Sequence, residues 1–177
     1  DNMSNIAIIV DLETTGLSAE DHILEIGAIK INTETGEVLD EFQTFTQPES
    51  EYGDYAFQIS PFITGLTGIT DDMVADAPSN GEAVNSFMAF AGDLEIWAYN
   101  AGFDSKFINQ HTSEYRPFKD VLRIARKAFP TLRSHKLVLV ADHLGLSQAG
   151  AHRAIADCLM TKEVLVQGLR LLEQERG

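Results

Sequence analysis

A run of apolar residues that ends in two acids, IAIIVDLETTGL at residues 6–17, constrains this chain more than any other stretch. Ile6, Ile8, Ile9 and Val10 read as a buried strand. Asp11 and Glu13 arrive where burial should end, and a Thr-Thr-Gly turn follows. Residues i and i+2 of a strand point the same way, with Cα atoms about 6–7 Å apart. The two acids therefore converge on one side of a strand terminus. Close carboxylates repel unless a proton or a cation sits between them. A hard divalent ion such as Mg²⁺ or Mn²⁺ suits an all-oxygen site and keeps waters for a phosphate substrate. On its own, D-x-E in a chain with 27 acids is most often a solvated turn.

With 177 residues, the chain fits one domain of ordinary size, expected to span 1–177. Nothing is drawn from the leading DNMSN, which reads as a cloning remnant. No apolar run approaches the roughly 20 residues needed to cross a bilayer, so no membrane is expected as partner. The single cysteine, Cys158, rules out an internal disulfide and points to a reducing, cytoplasmic setting. A net charge of −14 argues against a nucleic-acid partner until its distribution is considered. Residues 1–95 carry 19 acids and one base, a balance of −18, whereas residues 96–177 carry 8 acids and 12 bases, a balance of +4. Seven of the 13 Lys and Arg lie between Arg116 and Lys136. Such asymmetry marks either a face for a polyanion or ordinary solvated helix surfaces.

The pattern along the chain predicts strands at 6–12, 23–31 and 38–46, joined by loops too short for a crossover helix and hence forming an antiparallel meander. Residues 47–62 read as irregular. Ser79-Asn80-Gly81-Glu82 has the form of a capping box, followed by Val84, Phe87, Met88 and Ala91 at helical spacing. A short strand at 94–99 precedes helices at 103–112, 119–129, 135–144 and 152–174, Pro130 ending the second. Ile155, Leu159, Leu165, Leu169 and Leu172 would form the apolar face of the last helix. Strand and helix alternation after an early meander predicts an α/β fold, a mixed sheet covered by helices.

Two further stretches carry chemistry. WAYNAGFDSKFI (97–108) places Asp104 just after a strand, among apolar and aromatic residues, either in a site or as a helix cap. HRAIADC (152–158) brings His152 and Asp157 to the start of the last helix. Five residues at 100° each leave them about 140° apart around a helix axis. They can cooperate if His152 lies in the loop before the helix and Asp157 points inward. His22, His111, His135 and His143 match no metal-ligand spacing and read as surface or capping residues. Trp97 and Cys158 read as core.

DLETTG, NAGFDSKF and HRAIAD, in that order, resemble the three motifs of the DEDDh (DnaQ-like) 3′–5′ exonucleases, a superfamily that includes the proofreading subunits and domains of bacterial replicative DNA polymerases. LTGITDDMVADAP (66–78) is similar to the family's connecting segment. The resemblance spans about residues 6–170 and implies a ribonuclease H-like fold with a mixed five-stranded sheet, an antiparallel meander followed by parallel strands, flanked by helices. It also implies two divalent ions, Mg²⁺ or Mn²⁺, and phosphodiester hydrolysis. Asp11, Glu13 and Asp157 would hold one ion, Asp11 and Asp104 the other, and His152 would be the general base. Thr14, Thr15, Leu66, Thr67 and Phe103 would surround the terminal nucleotide. Asn100 precedes Asp104 as in the family, but Tyr99 stands where histidine is often found.

The expected activity is release of nucleoside 5′-monophosphates from the 3′ end of single-stranded DNA, with a DNA polymerase as a candidate partner. An RNA-trimming enzyme of the same superfamily, such as an oligoribonuclease or a transfer-RNA-end nuclease, is the nearest alternative, because contacts to the 2′ position are not legible. A catalytically silent binding module would have no need of all four acids and His152. A phosphomonoesterase would call for a D-x-D nucleophile motif, which the chain lacks.

Overall fold

The computed structural model describes residues 5–47 and 58–176. Three long strands open the fold: β1 (Ile6–Thr14), β2 (Ile23–Asn32) and β3 (Val38–Phe45). Helices α1 (Pro61–Thr67), α2 (Asp71–Val74) and α3 (Asn80–Ala91) follow, then β4 (Glu95–Ala98), α4 (Ala101–Asn109), β5 (Lys119–Asp120), α5 (Val121–Ala128), α6 (Leu137–His143) and α7 (Ala154–Arg176). The strands form one sheet in the order β3-β2-β1-β4-β5. The first three pair antiparallel, whereas β4 runs parallel to β1 and β5 parallel to β4. This is the mixed, helix-flanked sheet expected from the sequence.

The continuous apolar run of β1 has a simple cause: both of its faces are covered. Ile8, Val10 and Leu12 point into one core with Phe87 of α3 and Phe107 and Ile108 of α4. Ala7 and Ile9 point into the other, with Val121 and Ala125 of α5 and Val164 and Leu165 of α7. Strand β2 follows the same rule, Ile26 and Ala28 on the first side, Ile29 and Ile31 on the second. Full burial of such side chains stabilises the fold by about 1.5–3 kcal/mol each. Strand alternation then places Asp11 and Glu13 on the same face as Ala7 and Ile9, the face that α7 covers.

Several boundaries differ from the sequence reading, for local reasons. The capping box at Ser79 and Glu82 starts α3 as expected. By contrast, Pro61–Thr67 was read as part of an irregular stretch and connector, yet it is helical. Ser60 caps it by accepting from Ile63 N, Pro61 fills the first turn, and Gly68 ends it in a left-handed conformation (φ 77°). Residues 48–57 of the irregular stretch lie outside the described residues. Lys119 and Asp120, expected to begin a helix, are instead the fifth strand. The Asp120 carboxylate caps α5 by accepting from Leu122 N, so the helix starts at Val121, two residues later than expected. Helix α4 begins at Ala101 and not at 103, with Asn100 as its left-handed N-cap (φ 64°). On α7, Leu165 is buried and Ile155, Leu169 and Leu172 pack partly against the same core, but Leu159 is 36% exposed and belongs to the outer side.

Helix α7 lies so close to β2 that there is no room for a methyl group between them. A Cβ built on Gly27 would stand 2.6 Å from the Ala154 Cβ and 2.9 Å from its backbone carbonyl carbon. Gly27→Ala is expected to push the start of α7 outward and to destabilise the protein by about 1–3 kcal/mol, measured by urea unfolding. An unchanged midpoint would show that the helix can back away freely.

Candidate active site

The carboxyl end of β1 and the first turns of α7 build the centre of the site. Asp11 and Glu13 project from the α7-facing side of β1, and Asp157 comes down from the first turn of α7. One carboxylate oxygen from each lies within 4.8 Å of the other two. Asp104 stands apart from this trio. It is not the cap of its helix but lies inside α4, only 2% exposed. The clustered acids come from β1 and α7, and Asp104 on α4 is near enough for its charge to act on Asp11.

Burial and mutual repulsion set the electrostatics of these acids. Burial, then the charges of Asp157, Glu13 and Asp104, pushes the Asp11 carboxyl well above the usual carboxylate range. Burial and Asp157 push Glu13 up to about 9. Asp104 is also raised, chiefly by burial, against hydrogen bonds from backbone that act the other way. Burial likewise raises Asp157, opposed by its bond to the His152 backbone and by the charge of that histidine. Asp11 Oδ2 is shut off from solvent and, among the described residues, has no hydrogen-bond partner. An orphaned buried carboxylate oxygen costs free energy unless something positive meets it. An all-oxygen donor set with such an orphan fits a hard divalent cation held by Asp11, Glu13 and Asp157.

His152 lies in the loop before α7, as its spacing from Asp157 required. It is exposed, it adopts the left-handed conformation (φ 69°), and its backbone N–H donates to Asp157 Oδ1 at 3.1 Å. The imidazole is not part of the carboxylate cluster.

Beside Glu13 opens a cleft of about 510 Å³, lined by Thr14, Thr15, Leu66, Thr67 and Phe103 together with Leu17, Phe62 and Ile63. Its threonine hydroxyls are committed locally: Thr14 to Gly16 O, Thr15 to Asp21 and Thr67 to Ile63 O. What the cleft presents is therefore largely apolar, with Leu17, Phe62 and Leu66 exposed at 80, 74 and 43%. Asn100 is not brought here. It lines a separate hollow with Tyr99, Arg126, Arg133 and Lys136.

Glu25 and Arg153 escaped the sequence reading. Glu25 sits directly across from Glu13 in the sheet and is 1% exposed. Its carboxylate accepts from Arg153 Nε and Nη2 at 3.0 Å each, from Ala154 N at 3.1 Å and from Gln43 Nε2 at 2.8 Å. This knot fixes the first residue of α7, and with it the approach of Asp157. The signal was present as an acid near the start of ILEIGAIKI, a strand apolar elsewhere but for Lys30. Phe62 could have been found from the Ser60-Pro61 helix start that precedes it.

Two outcomes follow from these arrangements. Each raised acid binds its proton more tightly in the folded than in the unfolded chain. In metal-free protein the stability is therefore expected to fall as pH rises from about 4, the ordinary carboxylate range, through neutral toward the level of Glu13. Thermal melts in EDTA should show Tm lower at pH 8 than at pH 5, with Asp11→Asn narrowing the gap. Mn²⁺ should raise Tm at pH 8 in the parent and much less in the variant. Equal pH dependence of parent and variant would contradict a strained carboxylate cluster. Separately, Arg153→Met should cost about 1–3 kcal/mol in urea unfolding by leaving Glu25 short of donors, and adding Glu25→Gln should recover part of it.

The sequence family described as an exonuclease family, RNase_T, matches residues 8–165. The chain is 37% identical over 174 residues to the PolC-type DNA polymerase III of Clostridium perfringens, a match that covers 95% of this chain and 11% of that protein. It is 31% identical over 172 residues to the DNA polymerase III subunit epsilon of Aquifex aeolicus, covering 93% of this chain and 81% of that one. Among solved structures, the nuclease domain of 3′hExo, a DEDDh family member bound to rAMP, aligns with a TM-score of 0.76 at 25% identity, over 94% of this chain and 92% of that one. Exonuclease I shares the fold with a TM-score of 0.75 at 19% identity, over 96% of this chain and 42% of that one. By its match over residues 8–165 and its identity to these relatives, this chain belongs to the RNase_T family of DEDDh, DnaQ-like 3′–5′ exonucleases.

Proposed function

We propose that the chain is a single exonuclease domain that removes nucleoside 5′-monophosphates from the 3′ end of single-stranded DNA, using two divalent ions. The observation that carries this reading is the carboxylate trio within 4.8 Å, one member of which, Glu13, lines an apolar cleft of about 510 Å³. Asp11, Glu13 and Asp157 hold one ion, Asp11 and Asp104 the second. Bound Mg²⁺ or Mn²⁺ supplies stabilisation of the attacking and leaving oxygens of an in-line displacement.

The remaining work falls to the protein's own groups. Thr14, Thr15, Leu66, Thr67 and Phe103 receive the terminal sugar and base, and Asn100 stands on the side from which the strand arrives. Apolar walls suit digestion without regard to sequence, because every base offers a face to stack on. His152 takes the proton of the attacking water. Its place in an exposed loop, tied to Asp157 through the backbone, lets the ring turn inward when a strand fills the cleft.

DNA is favoured over RNA by the higher identity to polymerase III proteins than to 3′hExo. The same relatives support a DNA polymerase as partner. A cytoplasmic setting agrees with the one free, buried thiol of Cys158.

The test is a time course on 5′-labelled single-stranded DNA and matched RNA with Mg²⁺, Mn²⁺ or EDTA. A metal-dependent ladder shortening from the 3′ end is expected, faster on DNA, and reduced by a factor of a thousand or more in Asp11→Ala and Asp157→Ala. A faster RNA ladder would reassign the substrate to the RNA-trimming branch. No ladder with any metal would overturn the enzyme reading.

A further inference from the structure

Most cations near the sheet are engaged: Arg153 pairs with Glu25, Lys119 with Glu95, and Arg116 donates to Leu94 O. Arg126, Arg133 and Lys136 are different. Among the described residues none of the three side chains forms an ion pair or a hydrogen bond, and all three line one hollow of about 570 Å³ with Tyr99 and Asn100. Three unpaired like charges around one concavity repel one another. In a chain of net charge −14 they also concentrate the positive potential where an anion can reach it.

The hollow is built, and its walls are pinned. The Tyr99 hydroxyl donates to the carbonyl of His135, and the His135 ring bonds Phe129 O through Nε2 at 2.8 Å. The first bond fastens the segment carrying Arg133 and Lys136 to the end of β4, and the second fastens it to the end of α5. The Asp120 carboxylate accepts from both Asn100 N and Leu122 N, joining the ends of β4 and β5 beneath it.

Its position relative to the carboxylates follows from topology. Strands β1, β4 and β5 are parallel, so their carboxyl ends share one edge of the sheet. Asp11 and Glu13 stand at the end of β1. Tyr99 and Asn100 stand just beyond β4, and Leu122 just beyond β5. At about 4.8 Å between neighbouring strands, the hollow begins one to two strand spacings from the carboxylates. That distance is within reach of the phosphates next along a strand whose terminal nucleotide fills the cleft.

We infer that Arg126, Arg133 and Lys136 form a phosphate subsite for the nucleotides on the 5′ side of the scissile bond, holding the sugar-phosphate backbone of a single strand and not its bases. The inference deepens the exonuclease reading and rests on it. Its test does not require cleavage. Anisotropy of a labelled single-stranded oligothymidylate is measured in EDTA across a salt series. The triple variant Arg126→Gln, Arg133→Gln, Lys136→Gln is expected to weaken binding at least tenfold at low salt. It should also flatten the log–log salt slope by about two, at roughly 0.7 per phosphate contact on single strands.

A charge-matched control, Lys127→Gln, Arg170→Gln, Arg176→Gln, removes three cations from the hollow at the far end of α7. Thermal melts check that both variants fold, and Arg126→Lys with Arg133→Lys, which keeps the charge, should restore the slope. Equal weakening in the control, or no weakening in the first variant, overturns the subsite. A parent that binds through the hollow yet never shortens a strand would sink the exonuclease reading and leave the phosphate site standing.

Discussion

Three carboxylates crowded to within 4.8 Å, where water has little access, push against one another, and much of this fold works to hold them in place. Strand β1 is gripped on both faces, so Asp11 and Glu13 cannot swing away without unpacking Ile8 or Ile9. Helix α7 is pressed onto β2 by the bare Cα of Gly27, which sets the height from which Asp157 descends. The repulsion is offset by burial elsewhere, and it leaves the site poised to accept positive charge.

Two glutamates facing each other across the sheet show how environment divides one residue type into two roles. Glu25, ringed by four donors from Arg153, Ala154 and Gln43, acts as a structural anchor. Glu13, across the ladder at the same register, meets mainly other acids and is pushed up to about 9. The anchor stands beside the strained group, and removing its arginine would add another uncompensated charge to the neighbourhood.

Much of this was legible in the chain itself. The apolar run of β1, the capping box at Ser79 and the loop placement of His152 all come from local rules that tertiary packing did not override. The clustered acids were legible because strand spacing and a helix start bring their side chains to one place. Other features depended on partners distant in sequence. Nothing adjacent to Glu25 indicates that Arg153 reaches it from 128 residues away. Lys119 and Asp120 form a strand only because β4 offers them an edge, and their charges and flanking residues resemble a helix start. Asn100 was grouped with the cleft by its motif, whereas its left-handed conformation at the mouth of α4 directs it into the neighbouring hollow.

The division of the site along the chain also bears on how the protein is made. Asp11 and Glu13 belong to an opening meander whose strand contacts are local, so that half can organise early in synthesis. Asp157 and His152 lie near the other end, on the last helix and the loop that precedes it. The opening meander by itself carries only two of the three clustered carboxylates. The carboxylate cluster is complete only once α7 has settled onto the sheet.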